Sequence, residues 1–213
     1  MKIAVYSGSF NPLHIGHKAI MEYLTFESRF DWVYLIVSPK NPLKASSEAA
    51  TGQERYLAAI EAVKRHPELH VWVDDIELNM PPPHYTIKTL DALKQREPEN
   101  DFTLVIGADN LSGIREWRDF PRILTDYGVA VYPRKGFDMN KIKDELLEEC
   151  KSFPSPYVLD SNYALTGDGR HSLEEILERI YNIRLLNAPI VDISSTEIRK
   201  GIAAGQDMSQ WLM

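Results

Sequence analysis

Short apolar runs rich in β-branched and aromatic residues alternate with longer stretches of helical periodicity along the chain. The short runs at 2–6, Trp32–Val37, Val71–Asp74, 103–106, 127–132 and 183–186 predict strands. Helical spacing predicts helices at Ile15–Phe26, 53–64, Thr86–Arg96, 139–149, 174–180 and 195–204. This alternation favours a mostly parallel sheet with helices on both faces. We therefore predict one doubly wound α/β domain over residues 1–213, with its ligands beyond the carboxyl ends of the strands.

Composition and charge argue against several classes of protein. The chain carries 24 Lys and Arg against 31 Asp and Glu, and this net charge of −7 disfavours coating nucleic acid or an anionic membrane. A single cysteine, Cys150, forms no intrachain disulfide, which indicates the reducing cytosol. Residues 1–14 lack the apolar run of a signal peptide, and no run approaches the roughly 18 apolar residues of a membrane helix. We expect a cytoplasmic protein with neither nucleic acid nor membrane as a partner.

The loop after the first strand has the features of a phosphate site. Gly8 allows close backbone approach or a positive φ, and Pro12 stiffens the turn. His14 and His17 are three residues apart, so they share a face where a helix begins and backbone N–H groups are free. Ordinary surface or core histidines are the alternative. Zinc is disfavoured because no cysteine pair or second histidine pair completes four ligands.

A second strand-to-helix junction lies near the other end of the chain. Ser194 and Glu197 fit a capping box, which explains both residues without any ligand. Ser195, Thr196 and Arg199 also share one helical face, where hydroxyls, N–H groups and a guanidinium converge on an anion. The local sequence leaves both interpretations open, and the first phosphate site favours a second anion site.

These two segments resemble the nucleotidyltransferase superfamily named for its His-x-Gly-His motif. The matching residues are His14-Ile15-Gly16-His17 and the segment from Ile193 to Arg199. Residues 38–44, 85–90 and 106–110, together with Trp117, are similar to bacterial nicotinate-nucleotide adenylyltransferases and occur in that family's order. The resemblance implies a Rossmann-like sheet. The family often has Asp where this chain has Asn11, so we assign Asn11 no metal-ligand role.

The resemblance implies an enzyme of NAD biosynthesis that transfers the adenylyl group of ATP to nicotinate mononucleotide, giving deamido-NAD and pyrophosphate. The nucleophile is the mononucleotide phosphate, so catalysis consists of positioning and charge neutralisation. The implied cofactor is Mg²⁺ held by the ATP phosphates, with no metal site on the protein. The implied catalytic residues are His14, His17, Lys44 and Arg199. The implied ATP contacts add Gly8, Ser9, Phe10, Gly107, Asp109 at the ribose, Ser195 and Thr196, and the implied mononucleotide contacts are Lys44, Tyr85, Thr86 and Trp117.

Several alternatives remain at this point. Trp117 is either a ring-stacking residue or a core residue, and the adjacent Asp74 and Asp75 are interpreted as a solvated loop end rather than a metal pair. Phosphopantetheine adenylyltransferase shares the motif, but that family lacks the segments around Tyr85 and Trp117. A non-catalytic nucleotide sensor is disfavoured because both histidines and Arg199 are present. The sequence leaves a homo-oligomer open.

Overall fold

The strands that pair in the described part of the chain run parallel to one another. A computed structural model describes residues 1–39, 50–150 and 180–213. Within these ranges, six strands form one sheet in the order β3-β2-β1-β4-β5-β6. They are β1 (Lys2–Gly8), β2 (Trp32–Val37), β3 (Val71–Asp74), β4 (Asp101–Gly107), β5 (Val129–Tyr132) and β6 (Ile183–Leu185). This order is that of a Rossmann-like doubly wound sheet, as the sequence predicted.

Helices connect the strands. They are α1 (Ile15–Phe26), α2 (Gly52–Lys64), α3 (Ile76–Asn79), α4 (Thr86–Arg96), α5 (Ala108–Ser112), α6 (Phe120–Arg122), α7 (Met139–Cys150) and α8 (Ser195–Ala203). A π-helical turn, Ile123–Tyr127, follows α6, and 3₁₀ turns occupy Ile114–Glu116 and Ser209–Trp211. No helix in the described ranges is long and apolar enough to cross a membrane.

The apolar strands build two separate core layers because successive residues of a strand face opposite sides of the sheet. Ile3 and Val5 pack on one face with Leu90 of α4. Ala4 packs on the other face with Leu24 of α1. Both faces of the sheet are therefore covered, which explains why the strands are almost continuously apolar.

The order of the strands places the functional loops. The chain moves from β1 outwards to β2 and β3, and then returns to the other side of β1 to form β4. The loops that follow β1 and β4 therefore diverge and leave a crevice between them at the carboxyl edge of the sheet. The loop after β1 carries His14 and His17, and β4 leads through Gly107 into Asp109.

One prediction about local structure needs correction, and another lies almost entirely outside the described residues. Residues 127–132 were expected to be a strand, but Tyr127 ends the π-helical turn and Gly128 has a φ of +76°, so β5 begins at Val129. The β-branched and aromatic composition of 127–132 does not reveal this turn. The Tyr127 hydroxyl donates a hydrogen bond to Asp91 in α4, a contact between distant parts of the chain that local composition does not show. Of the helix predicted at 174–180, only Ile180 lies within the described residues.

Asp74 is not part of a solvated loop end, so that prediction was wrong. It is the last residue of β3 and is 2% exposed. Arg96 at the end of α4 donates to both of its oxygens, from Nη1 to Oδ1 at 3.1 Å and from Nη2 to Oδ2 at 2.6 Å. The N–H of Ile76 donates to Oδ1 at 2.9 Å. A bidentate arginine and a backbone N–H together compensate the cost of burying this carboxylate.

Candidate active site

His14 and His17 cap the beginning of α1 with their own side chains. His14 is the N-cap residue, and its Nδ1 accepts the N–H of Gly16 at 3.1 Å. Its backbone N–H donates to Nδ1 of His17 at 3.2 Å. This is the capping-box pattern, with imidazoles in the positions usually taken by Ser or Thr and by Glu. Because both Nδ1 atoms accept hydrogen bonds, each neutral ring carries its proton on Nε2.

The two rings lie in an environment that keeps them neutral. Their centroids are 3.7 Å apart, and His14 is 4% exposed. Burial, and then the charge of Arg134, lower the pKa of His14 to about 4. Burial, followed by the charges of His14 and Arg134, lowers the pKa of His17 well below its usual value. Near neutral pH the pair therefore offers two Nε2–H donors rather than two positive charges.

This environment predicts that the folded chain loses stability as the pH falls below 6.5. The unfolded chain protonates His14 near pH 6.5, whereas the folded chain keeps this ring neutral down to about pH 4. Unfolding takes up protons between these values, so we expect the free energy of unfolding to drop by about 2 kcal/mol from pH 7 to pH 5 through His14 alone. Denaturant titrations at several pH values measure this drop.

The control for this prediction is His14→Asn, which removes the titrating ring and keeps a side-chain acceptor at the N-cap. Its unfolding free energy should depend less on pH than that of the unmodified chain over the same interval. Equal pH dependence in the two proteins would contradict the assignment of the effect to His14.

The segment at α8 contacts the loop that carries the histidines. Ser195 Oγ donates to the carbonyl oxygen of Pro12 at 3.0 Å, and Arg199 Nη1 donates to that of Asn11 at 2.6 Å. A second nitrogen of the Arg199 guanidinium donates to Thr196 Oγ1 at 3.2 Å. The structure therefore brings together two groups of residues that the sequence predicted separately.

The start of α8 is capped as the sequence predicted, although by half of a capping box. Ser194 Oγ accepts the N–H of Glu197 at 3.2 Å. The Glu197 carboxylate accepts from the Ser194 hydroxyl at 2.6 Å, where a full capping box would have it accept the backbone N–H. The side-chain cap uses Ser194 and Glu197, whereas Ser195 and Arg199 bond to the loop after β1 and Thr196 accepts from Arg199.

Gly8 allows close packing of the Phe10 ring and has no positive φ. A Cβ on Gly8 would lie 3.0–3.4 Å from three atoms of the Phe10 ring. The positive φ belongs to Phe10 itself, at 46°. The Phe10 ring is 4% exposed and packs edge-on against Tyr6 and His17, with centroids 5.4 Å and 5.1 Å away. Phe10 therefore supports the His17 ring from behind.

The loop after β4 carries Asp109 close to a second cation. The Asp109 carboxylate lies 3.5 Å from Nε of Arg134, and Arg134 donates to the Tyr132 hydroxyl at 3.1 Å. A small cavity lined by His14, His17, Tyr132 and Arg134 joins Arg134 to the histidines. Arg134 was not among the residues predicted from the sequence. Its position two residues beyond β5, at the same edge of the sheet, is the signal that would have found it.

A larger cleft of about 230 Å³ opens between the loops after β1 and β4. Gly8 and Ser9 line one side, and Tyr85, Thr86 and Trp117 line another. Trp117 also packs against the apolar core, as the core alternative predicted, and its ring-stacking role stays a prediction. Lys44, the remaining residue of the predicted site, lies outside the described residues.

The chain is similar to known proteins over nearly its whole length. The sequence profile of the cytidylyltransferase-like family matches residues 5–201. A protein of Flavobacterium johnsoniae named "Probable nicotinate-nucleotide adenylyltransferase" is 33% identical over 100% of this chain and 92% of its own length. A protein of Bacteroides fragilis with the same name is 34% identical over 99% of this chain and 87% of its own length. The chain belongs to the nicotinate-nucleotide adenylyltransferase family.

Solved structures agree on the fold of this adenylyltransferase family member. The nicotinic acid mononucleotide adenylyltransferase of Plasmodium falciparum, in its complex with NaAD, superposes with a TM-score of 0.68. It is 16% identical, and the match covers 99% of this chain and 90% of that one. The complex of the same enzyme with APC superposes with a TM-score of 0.65.

Two buried charged residues that the sequence analysis missed hold the loops of this adenylyltransferase. Arg55 of α2 is 3% exposed and donates to the carbonyl oxygens of Ser9 and Pro39, at 2.5 Å and 2.9 Å. Glu77 of α3 is 4% exposed and accepts from the hydroxyls of Ser38 at 2.6 Å and Thr89 at 2.8 Å. The loops after β1 and β2 are thus tied to the helices behind them. Isolated charged residues on helices give no sequence signal for this role.

Metal-binding side chains do not cluster within the part of the chain that the structure describes. No group of three or more His, Cys, Asp or Glu residues in those ranges is arranged to hold a metal ion. Asn11, to which no metal-ligand role was assigned, instead accepts a hydrogen bond from Arg199 at its carbonyl oxygen.

Proposed function

We propose that this chain transfers the adenylyl group of ATP to nicotinate mononucleotide and releases pyrophosphate, forming deamido-NAD. The observation that carries this proposal is the hydrogen bond from Arg199 to Asn11, which joins the α8 segment to the loop with His14 and His17. Donors for a triphosphate, from His14, His17 and Arg134, line the small cavity, and Trp117 lines the larger cleft, with Tyr6 and Tyr132 lining both. The relatives at 33% and 34% identity are named for this reaction.

The histidine pair supplies donors to the phosphate that reacts. An oxygen of the mononucleotide phosphate attacks the α-phosphorus of ATP, and the bond from that phosphorus to the bridging oxygen of the pyrophosphate breaks. The Nε2–H groups of His14 and His17 are oriented by their Nδ1 hydrogen bonds and donate to the phosphate oxygens. The neutral rings need no proton transfer, because the attacking oxygen already carries negative charge.

Two guanidinium groups offset the charge that builds on the departing pyrophosphate. Arg199 approaches from α8, and Arg134 approaches from the carboxyl end of β5. The Thr196 hydroxyl, which accepts from Arg199, adds a neutral donor on the side of α8, and the Ser195 hydroxyl adds another when it exchanges its Pro12 acceptor for a phosphate oxygen. Lys44 adds a further charge in this scheme. These groups stabilise charge without making a covalent bond to the substrate.

Mg²⁺ fits this site as an ion carried by the ATP phosphates. The described residues supply no carboxylate cluster for it, whereas a triphosphate supplies the oxygen ligands that Mg²⁺ prefers. Bound in this way, Mg²⁺ would neutralise part of the phosphate charge.

The remaining predicted residues recognise the two nucleosides. Asp109, at the start of α5, accepts hydrogen bonds from the ATP ribose, and Gly107 allows the chain to turn closely there. Tyr85, Thr86 and Trp117 bind the pyridine ring in the larger cleft. The loops that hold both nucleosides extend from one sheet, so we also propose that residues 1–213 act as a single nucleotidyltransferase domain.

A pyrophosphate-release assay tests the proposed function. The chain is incubated with ATP, Mg²⁺ and one of three acceptors, namely nicotinate mononucleotide, nicotinamide mononucleotide or phosphopantetheine. We expect the highest kcat/KM with nicotinate mononucleotide. A higher value with phosphopantetheine would indicate a phosphopantetheine adenylyltransferase instead. No pyrophosphate release with any acceptor would support a nucleotide sensor.

Replacing Trp117 tests the position of the pyridine ring. Trp117→Ala removes an aromatic contact worth about 0.5–1.5 kcal/mol beyond the apolar area that it buries. We expect the KM for nicotinate mononucleotide to rise about tenfold, while the KM for ATP stays nearly constant. Steady-state kinetics with each substrate varied in turn measure both values.

Trp117→Phe is the matched variant, because its smaller ring still offers a stacking face and should recover part of the loss. Trp117 also packs against the core, so the melting temperature of each variant is measured alongside. A lower melting temperature with both KM values changed alike would assign Trp117 to packing only.

A further inference from the structure

Arg118 is the residue next to Trp117, and it also lines the larger cleft. Its guanidinium carbon lies 5.8 Å from the centroid of the Tyr85 ring, on the wall that holds the pyridine in the proposed function. Its ion pair is with the adjacent Asp119, from Nε to Oδ2 at 3.4 Å, where the two side chains are 64% and 51% exposed. An exposed pair of this kind contributes little, so the guanidinium is available to a stronger partner.

The backbone around Arg118 is held in an unusual conformation. Asp119 has a φ of 52°, and Phe10 in the loop after β1 is the other non-glycine residue with positive φ in the described ranges. The turn is closed by the N–H of Phe120, which donates to the carbonyl oxygen of Trp117 at 3.2 Å. Left-handed backbone at a non-glycine residue persists where the surrounding structure enforces it, and it is concentrated at ligand sites. This turn fixes Trp117 and Arg118 side by side on the cleft.

The other charged side chains that the structure describes in the cleft are negative, so Arg118 is the group that can attract an anionic ring. Two carboxylates, Glu77 and Glu116, line the same cleft. Among the described residues that line it, Arg118 is the one lysine or arginine. Without the Arg118 guanidinium, these two carboxylates and the net charge of −7 on the whole chain would repel a ligand carboxylate that enters the cleft.

We propose that Arg118 determines the preference for a pyridine ring that bears a carboxylate over one that bears a carboxamide, by pairing its guanidinium with that carboxylate. The inference rests on the proposed function, since it takes the cleft as the pyridine site. A planar guanidinium matches the two oxygens of a carboxylate and forms charge-assisted hydrogen bonds with them. A carboxamide has the same shape but only one acceptor oxygen and no charge. Trp117 then holds the ring, and Arg118 distinguishes its substituent.

The experiment compares the two mononucleotides, which differ only in this substituent. Their dissociation constants are measured by calorimetry in the presence of a non-hydrolysable ATP analogue, and their KM values are measured by pyrophosphate release. For Arg118→Gln we expect the affinity for nicotinate mononucleotide to fall about tenfold, as for a partly solvated charge-assisted contact. The affinity for nicotinamide mononucleotide should change by less than about twofold, the level of a surface substitution. Arg118→Lys should recover part of the preference because it keeps the charge but not the planar fork.

Lys88→Ala is the matched control. The Lys88 ammonium lies 5.5 Å from the centroid of the same Tyr85 ring, but Lys88 does not line the cleft. Its removal should leave the preference between the two mononucleotides unchanged, whereas a preference set by the general charge of this surface would fall in both variants. Higher salt should lower the preference of the unmodified chain, because it screens a partly exposed charge.

The binding data separate failure of this inference from failure of the proposed function. If the unmodified chain releases no pyrophosphate, the proposed function is wrong. Its binding preference between the two mononucleotides still tests the role of Arg118. Equal binding of both mononucleotides by the unmodified chain, or an undiminished preference in Arg118→Gln, would overturn the role of Arg118 and leave adenylyl transfer standing.

Discussion

Replacing His17 with alanine lowers kcat by a factor of about 10²–10³, because a donor directed at the charge that develops in the transition state is lost. The His17 ring is held by the His14 N–H at Nδ1 and by the edge of Phe10, so its Nε2–H points in one direction. The KM values should change much less than kcat, since the donor acts most strongly on the transition state. Steady-state pyrophosphate release measures kcat for the variant and the unmodified chain.

His17→Gln separates catalysis from helix capping. Glutamine is a usual residue at this capping-box position, so its amide oxygen can accept the His14 N–H and preserve the beginning of α1. We expect this variant to keep the melting temperature of the unmodified chain and still to lose most of kcat. Unchanged kcat in a folded His17→Ala variant would falsify the placement of His17 at the reacting phosphate.

Replacing Arg199 with alanine weakens ATP binding by roughly 1.5–3 kcal/mol, the contribution of a charge-assisted hydrogen bond. The KM for ATP should therefore rise by a factor of about 10–150, and that for the mononucleotide should stay nearly constant. Arg199 contacts Asn11 in the loop with the histidines, rather than the cleft lined by Trp117, and this position explains the selectivity. Kinetics with each substrate varied in turn measure both constants.

Lys200→Ala is the matched control for Arg199, because it removes the next positive charge along α8 from an exposed position. We expect its KM values to match those of the unmodified chain. Arg199→Lys should recover part of ATP binding through its charge. A rise confined to the mononucleotide KM in Arg199→Ala would show that the α8 segment binds the mononucleotide rather than ATP.

The local motifs could be predicted because their hydrogen bonds join residues that are close in sequence. His14 pairs with Gly16 and His17, and Ser194 pairs with Glu197, over two or three residues. The strands were predictable for a related reason, since a parallel strand covered on both faces is apolar almost throughout. Short, almost continuously apolar runs between the helical stretches therefore indicated the sheet.

The errors and omissions concern residues whose environment comes from distant parts of the chain. Asp74 has the sequence of a loop end, and Arg96, 22 residues later, buries it. Arg55 is 46 residues from the Ser9 carbonyl that it holds. Arg134 meets Asp109 because β4 and β5 are neighbours in the sheet. A charged side chain carries no local mark of the partner that it will find across the fold.

The doubly wound α/β class, the histidine pair at the start of α1 and the hydroxyl and arginine segment at α8 could be predicted from the sequence, because their signals lie in patterns of neighbouring residues. That the two segments meet is visible only in the tertiary structure. Asn11 and Arg199 are 188 residues apart, and their hydrogen bond depends on the packing of α8 against the loop after β1. The tertiary structure likewise decided that the histidines are neutral. Burial, together with the charge of Arg134 from the end of β5, lowers the pKa of both rings, and both effects exist only after the chain has folded.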